Sequence, residues 1–205
     1  MSAFTSQFLE DSIEILRRVS QDDVDAVVGV LAATRQRRGR LFFVGSGGGA
    51  GHASHAACDF RKLAGIESYC VTDNVSELTA RINDDGWDNS YADWLRSSHL
   101  AAGDCLFVFS VGGGDAERNV STNLVRAIEL AGDVGADVVG VVGRDGGTLR
   151  TRATASIVIP TIDASAVTPQ TEGLQALMWH LIVSHPDLCA ATAKWESITD
   201  VGASG

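Results

Sequence analysis

Short apolar runs that alternate with helix-like segments constrain the fold of this chain more than any other feature. Strands that alternate with helices form parallel sheets covered by helices on both faces, joined by right-handed crossovers. We therefore predict an α/β fold, with a five-stranded parallel sheet flanked by helices in a single domain. The predicted strands lie in residues 40–45, 67–73, 104–114, 136–147 and 155–161, with helices over segments such as 119–131 and 172–183.

The first forty residues predict a pair of helices in front of the sheet. Apolar side chains from Phe8 to Val19 recur near helical spacing. Ser20, followed by acidic residues, is typical of a helix N-cap, and the basic residues 35–40, which include a glycine, are typical of a helix end. No linker or repeat divides the chain, so we expect the helical pair to belong to the same domain as the sheet.

Composition and charge narrow the classes of partner. The formal charge of the 205 residues is −10, which argues against nucleic acid as a partner because binding its backbone requires a concentrated basic surface. No apolar stretch approaches the roughly 20 residues that cross a bilayer, and the first residues lack a signal-peptide pattern. We expect a soluble, cytoplasmic protein that does not bind membranes. Its four scattered cysteines are expected to be buried, reduced thiols.

Three of the predicted strands end in glycine-rich loops, at residues 45–51, 112–114 and 143–147. In open α/β sheets, ligands bind beyond the carboxyl ends of the strands. Glycine amides approach an anion closely because no Cβ intervenes, and a following helix adds its positive end. We predict a phosphate site on the first two loops. The candidate residues are Ser46, Gly47, Gly48, Gly49, Ser110, Gly112, Gly113, Gly114, Arg118 and Asn119.

A dinucleotide site is an alternative interpretation of the first loop. Gly45, Gly47 and Gly51 approximate the GxGxxG spacing, and Asp73 ends the second predicted strand, where an acidic residue would bind a ribose. The Gly-Lys-Ser/Thr ending of a Walker loop is missing.

Two histidine–carboxylate pairs are the candidates for chemistry. His52, His55 and Asp59 are three and four residues apart, so a helix places them on one face, and Glu172 and His180 are just over two turns apart. Two such helices could form a cluster that suits a divalent metal such as Zn²⁺, or an acid–base pair without metal. Hydrogen-bonded structural histidines remain the alternative.

At these residues the chain resembles the SIS (sugar isomerase) domain family, over nearly all of residues 40–185. The segment GSGGGAGHASHAACD resembles the motif G-N-G-G-S-x-x-D-A-x-H-F-x-x-E, with Asp59 replacing the glutamate. NDDGWD resembles N-D-x-G-Y-D. Thr168, Glu172 and His180 resemble T-x-x-x-Q-x(7)-H, with Glu172 replacing the glutamine. Ser110 matches a serine-rich phosphate loop in which glycines here replace most of the serines.

The resemblance implies a sugar-phosphate aldose–ketose isomerase of the phosphoheptose isomerase branch, which converts D-sedoheptulose 7-phosphate to D-glycero-D-manno-heptose 7-phosphate through an enediol. It implies proton transfer by Asp59, Glu172 and His180, with either carboxylate as the base. It further implies one Zn²⁺ per subunit, a cytoplasmic homotetramer with sites near subunit interfaces, and substrate contacts from Asn83, Asp84 and Thr168. The implied zinc ligands are His55, Asp59, Glu172 and His180.

The same resemblance divides the chain into oligomerisation helices at residues 1–39, a sugar-phosphate-binding domain at 40–190 and a tail at 191–205. It also leaves a second function open, because SIS domains serve as sugar-phosphate sensors and some isomerase-like members are adaptors of a replication initiator. Both histidine–carboxylate pairs are kept here, which favours an enzyme, since a sensor needs only the loops.

Overall fold

The computed structural model describes residues 3–194 and contains a five-stranded, entirely parallel sheet. The strand order is β2-β1-β3-β4-β5, which confirms the predicted fold class. Of the expected tail, residues 195–205 lie outside the described part. The strands are β1 (Leu41–Gly45), β2 (Ser68–Cys70), β3 (Cys105–Ser110), β4 (Asp137–Val142) and β5 (Ala155–Val158).

Eight helices surround the sheet within residues 3–194. The first two precede β1, and a helix follows each of the five strands, with an additional one after β2. They are α1 (Ala3–Arg18), α2 (Gln21–Gln36), α3 (Gly48–Lys62), α4 (Val75–Asp85), α5 (Ser90–Ser97), α6 (Thr122–Asp133), α7 (Gly147–Arg152) and α8 (Val167–Ser184).

The sheet is buried on both faces, as its nearly continuous apolar strands require. On one face, Phe43, Phe107 and Phe109 pack with Phe60 of α3, and α2 and α8 complete this layer. On the other face, the alternate residues of the same strands pack against α5, α6 and α7. Because α3 and α8 cover the same face, their polar residues meet where that face reaches the carboxyl ends of the strands.

An ion pair fixes the opposite edge of the sheet, at the amino ends of β1 and β3. The buried Asp104 carboxylate accepts hydrogen bonds from the backbone N of Arg40 (2.9 Å) and from Nη2 of the same residue (2.7 Å). Burial raises the pKa of Asp104, but the hydrogen bonds and charge of Arg40 outweigh this and hold the pKa below its usual range. The pair belongs to the scaffold, far along the strands from the glycine loops.

The helical pair leaves an apolar surface exposed. Ser20 caps α2 by accepting a hydrogen bond from the backbone N of Asp23 (3.1 Å). A groove of about 460 Å³ lies between α1, α2 and α8, and the exposed side chains of Leu16, Leu177 and Leu181 line it. Together with the exposed Phe4, Leu9 and Ile13 of α1, these side chains are what we call the α1/α8 surface.

Two further expectations concern the environment of the chain. Within residues 3–194, no helix combines the length and apolar character needed to cross a bilayer. All four cysteines are free, but only Cys70 and Cys105 are buried, so the expectation of four buried thiols is wrong for Cys58 and Cys189. Cys58 falls on the solvent side of α3, and Cys189 follows α8 near the end of the described chain.

Candidate active site

The glycine loop after β1 brings α3 directly against the carboxyl ends of the central strands. A Cβ on Gly45 would lie 2.3 Å from the backbone of Gly49, and a Cβ on Gly49 would lie 2.6 Å from the carbonyl oxygen of Phe109 in β3. Gly47 caps α3 with a positive φ of 58°. The sequence therefore permits a turn that a chain with side chains at these positions could not make.

Glu172 of α8 reaches the amino end of α3. A Cβ on Gly48 would lie 2.6 Å from both Cδ and Oε2 of Glu172, so the carboxylate rests on the bare backbone of Gly48. The amino end of a helix stabilises a negative charge, because its first N–H groups are unpaired and the helix dipole is positive there. The carboxylate of Glu172 therefore lies at the position beside the first glycine loop where a ligand anion would otherwise be expected.

His52 stands beside Glu172. The sequence places it on one helix face with His55 and Asp59 but assigns it no catalytic, substrate-binding or metal-binding role. Its ring is partly buried and lies 5.9 Å, centroid to centroid, from that of Phe109. Burial lowers the pKa of His52 by more than the neighbouring Glu172 raises it, which favours the neutral imidazole. The only sequence signal for this residue is its helical spacing from His55.

His55, Asp59 and His180 form a group in which one ligand atom from each lies within 4.8 Å of the others. The distance from His55 Nε2 to Asp59 Oδ2 is 3.8 Å, and the rings of His55 and His180 are perpendicular with centroids 5.7 Å apart. Glu172, which the resemblance placed in the same ligand set, is not part of this group. The structure thus separates three of the four expected ligands from the fourth.

The donor set fits a divalent metal. Nδ1 of His180 lies 2.7 Å from the carbonyl oxygen of Ala176, so a proton on Nδ1 leaves Nε2 free as a ligand. Trp179 contacts both imidazoles, with its ring centroid 4.8 Å from that of His55 and 3.4 Å from that of His180. Two imidazole nitrogens and one carboxylate are a typical set for Zn²⁺ with an open coordination position.

The second glycine loop, after β3, is held by its own serine. The buried Ser110 accepts a hydrogen bond from the backbone N of Gly113 (3.0 Å) through Oγ, and the positive φ angles of Gly113 and Gly114 turn the chain away from the sheet. The chain then forms a small hairpin closed by two backbone hydrogen bonds between Asp115 and Val120 (2.9 and 3.0 Å).

Arg118 and Asn119 lie in this hairpin, so the helix predicted over residues 119–131 begins later than expected. Helix α6 starts at Thr122, directly after Ser121. A cavity of about 140 Å³ opens between the hairpin, the loop after β4 and the start of α6. Its lining includes Gly112, Gly114, Arg118, Ser121 and Arg144.

A polar cluster supports the first loop from α5 and α6. Nδ2 of Asn123 donates to Oγ of Ser46 (3.3 Å), and the hydroxyl of Tyr91 donates to the carbonyl oxygen of Gly45 (2.8 Å). Burial raises the pKa of Tyr91, so its hydroxyl stays protonated. The loop geometry is thereby fixed from both sides, by Glu172 on one and by this cluster on the other.

The remaining predicted residues are Asn83 and Asp84 in α4 and Thr168 in the first turn of α8. Asn83 and Asp84 are exposed at the end of α4, where Nδ2 of Asn83 donates to Oδ1 of Asp84 (2.8 Å). Their segment is tied to α6 through a hydrogen bond from the Thr122 hydroxyl to Asp88. Thr168, at the start of α8, lines a cavity of about 440 Å³ that also contacts Arg144.

Comparison with known proteins places the chain in a family. The family model described as SIS domain matches residues 7–143. The chain is 35% identical over 188 residues to the lincomycin biosynthesis protein LmbN of Streptomyces lincolnensis, a match that covers 86% of this chain and 66% of that protein. It is 31% identical over 159 residues to the phosphoheptose isomerase of Rhodospirillum rubrum, covering 75% of this chain and 79% of that protein.

Solved structures agree on the fold. Phosphoheptose isomerase GmhA from Neisseria gonorrhoeae superposes with a TM-score of 0.74 at 23% identity, covering 88% of this chain and 94% of that one. A phosphoheptose isomerase from Francisella tularensis gives 0.73 at 18% identity, with coverage of 88% and 93%.

Proposed function

The chain belongs to the SIS-domain family, and we propose that it is an aldose–ketose isomerase that converts D-sedoheptulose 7-phosphate to D-glycero-D-manno-heptose 7-phosphate. The relative from Rhodospirillum rubrum, at 31% identity, is named phosphoheptose isomerase. The observation that carries the proposal is the meeting of α3 and α8 at the first glycine loop. It brings two carboxylates and three imidazoles to one edge of the sheet.

The reaction moves one proton between C1 and C2 of the sugar through an enediol. It requires a base near these carbons and an acid that protonates the carbonyl oxygen. We assign the base to Glu172 or Asp59, and we assign the acid to His180 in the state without a metal on its Nε2 atom. Glu172 is the stronger candidate for the base, because Asp59 lies 3.8 Å from His55 in the group that would bind a metal, whereas the carboxylate of Glu172 stands on Gly48.

We propose that one Zn²⁺ per subunit is held by His55, Asp59 and His180. Glu172, the fourth ligand that the resemblance implies, lies outside this group and would have to move to bind the same ion. When bound, the metal would stabilise the negative charge that develops on the sugar oxygens. The hydrogen bond from Nδ1 of His180 to Ala176 orients the imidazole for this role.

The substrate phosphate is assigned to the second glycine loop rather than to both loops. The carboxylate of Glu172 already stands at the amino end of α3, so a phosphate beside it would bring two anions together. The loop after β3 offers a 140 Å³ cavity lined by glycines, Ser121, two arginines and two aspartates, and the carboxylates of these aspartates accept hydrogen bonds from backbone amides. The sugar would extend from there toward Ser46, Thr168 and Glu172. The same carboxylate argues against the dinucleotide alternative, whose pyrophosphate would need the amino end of α3.

We further propose a cytoplasmic homotetramer with the sites near subunit interfaces, in which residues 1–39 serve assembly and residues 40–190 bind the substrate. The α1/α8 surface supports assembly, because Leu16 of α1 and Leu177 and Leu181 of α8 are exposed on one groove, and grouped exposed apolar side chains mark interaction sites. Helix α8 also carries Glu172 and His180, which would connect this surface to the site.

The test is to incubate the purified protein with a series of C5 to C7 ketose phosphates, with and without chelator, and to measure aldose phosphate formation. Conversion of the C7 substrate, lost in His180→Gln, is the expected result. Tight binding of a sugar phosphate with no conversion under any metal condition would contradict the proposal and would favour a sensor or adaptor.

A further inference from the structure

We propose that Arg144 binds the phosphate group of the substrate and selects phosphorylated over free sugars. The inference rests on the proposed function for the identity of the substrate, but its chemistry requires only a phosphate monoester. Arg144 is the second residue after β4, with Gly143 between it and the end of the strand. It therefore extends from the carboxyl edge of the sheet, where the candidate active site lies.

Arg144 lies between the second glycine loop and the start of α8. It lines the 140 Å³ cavity together with Gly112, Gly114 and Ser121, and it lines the neighbouring 440 Å³ cavity together with Thr168. The side chain passes close to the loop, since a Cβ on Gly112 would lie 3.8 Å from Cδ of Arg144. Of the residues that line the 140 Å³ cavity, Arg144 alone also lines the cavity that reaches the helix carrying Glu172.

The guanidinium of Arg144 is available for an anion. Within residues 3–194 its side chain makes no ion pair or hydrogen bond, whereas Arg118 across the same cavity lies 3.6 Å from Asp115. The two carboxylates that line the 140 Å³ cavity, those of Asp115 and Asp145, accept hydrogen bonds from backbone amides. Asp115 accepts from the N atoms of residues 117 and 118, and Asp145 accepts from the N of Gly147 (3.2 Å).

The backbone around the cavity is held in uncommon conformations. Arg144 has a φ of 54°, and Asn119 and Ser121 both have a φ of 53°. These are three of the five non-glycine residues with positive φ within residues 3–194. Such conformations cost energy and cluster at functional sites, where the surrounding structure imposes them.

Backbone hydrogen bonds join the two loops that border the 140 Å³ cavity. The backbone N of Thr148 donates to the carbonyl oxygen of Gly114 (2.9 Å), and that of Leu149 donates to Gly113 (3.0 Å), so the loops after β3 and β4 are joined. Arg144 is thereby held beside the amides of the second glycine loop. A guanidinium forms paired, charge-assisted hydrogen bonds with phosphate, and this replaces donors that serine hydroxyls would otherwise supply.

The test compares Arg144→Asn with Arg144→Lys and with the control Arg152→Asn, an exposed arginine at the end of α7 that makes the same change in net charge. Asparagine tolerates positive φ, so Arg144→Asn is expected to fold at least as stably as the wild type. We expect its KM for the sugar phosphate to rise about 10-fold or more with kcat little changed. The KM of Arg144→Lys should lie between that of the wild type and that of Arg144→Asn. The KM of Arg152→Asn should match that of the wild type.

A second measurement uses inorganic phosphate at constant ionic strength as a probe, followed by the thermal unfolding midpoint. Phosphate should raise the midpoint of the wild type and of Arg152→Asn, and this increase should shrink in Arg144→Asn. An unchanged KM in Arg144→Asn, or a phosphate effect that is absent from the wild type or insensitive to Arg144, would overturn the inference. If the wild type isomerised no sugar phosphate, the proposed function would fail, while the phosphate measurement would still decide the role of Arg144.

Discussion

The carboxylate of Glu172 rests on the backbone of Gly48, 2.6 Å from where a Cβ would stand. This contact joins α8 to the first glycine loop, across more than a hundred residues of sequence. It gives Gly48 a role that differs from that of the neighbouring glycines, since Gly45 and Gly49 are needed for close backbone approach. Because Gly48 has no side chain, the carboxylate of Glu172, the candidate base, can lie against its backbone.

Gly48→Ala is therefore expected to move Glu172 and to reduce turnover. The new methyl group would collide with the carboxylate at the end of a flexible side chain, so the fold should survive while the carboxylate shifts by about 1 Å, a displacement that can reduce kcat about 10²-fold. The matched control is Gly51→Ala in the same helix, where a Cβ meets nothing within 4 Å. That variant should keep its activity and gain about 0.5–1 kcal/mol in the free energy of unfolding. Equal kcat values in the two variants would remove Glu172 from the mechanism.

The group of His55, Asp59 and His180 is expected to retain a metal through purification. We predict about one Zn²⁺ per chain by elemental analysis, a loss of activity in chelator, and recovery when zinc is added back. His180→Gln should lower zinc affinity about 10-fold or more and kcat about 10²-fold.

His99→Asn is the control for this experiment. His99 is exposed on the far edge of the sheet and has a positive φ of 54°, which asparagine accommodates. It should keep both metal and activity. Metal content that is the same in His180→Gln and in the wild type would rule out the assignment of His180 as a ligand.

The fold could be predicted from the sequence because each signal was local and repeated. Apolar runs marked the strands, and the rules of parallel sheets then placed every glycine loop at the same edge. Helical spacing likewise placed His55 and Asp59 on one face of α3, and the structure brings them to His180. These inferences need no knowledge of how side chains pack between helices.

The contacts that sequence reasoning missed depend on such packing. The approach of His52 to Glu172 follows from the angle between α3 and α8, which no spacing rule supplies. The start of α6 moved to Thr122 because the positive φ angles of Gly113 and Gly114 leave room for a hairpin. Arg144 has no sequence signal of its own, because the only recognisable feature of its loop is the glycines.

The Arg40–Asp104 pair is expected to make stability depend on pH in the acid range. The pKa of Asp104 is lowered in the folded state, so its contribution is complete above the unfolded value of about 3.9 and is lost as the pH falls through the folded value. Asp104→Asn should lose about 2 kcal/mol in the free energy of unfolding at pH 7, measured by denaturant titration. The difference in the free energy of unfolding between Asp104→Asn and the wild type should shrink toward pH 2. The control Asp133→Asn, at an exposed residue near the end of α6, should show no such difference at any pH. A difference that stays constant with pH would indicate that the carboxylate is not charged in the pair.

The α1/α8 surface is expected to be covered by a second copy of the chain. Leu181 is 43% exposed on the groove between α1, α2 and α8, and a charge there would be buried without a partner on assembly. Leu181→Arg should therefore shift the proposed tetramer to smaller species in analytical ultracentrifugation and lower activity, since α8 also carries Glu172 and His180. Val75→Arg adds the same charge at an exposed apolar residue of α4 and should remain tetrameric. A wild type that sediments as a monomer with full activity would refute both the tetramer and the contribution of this surface to the site.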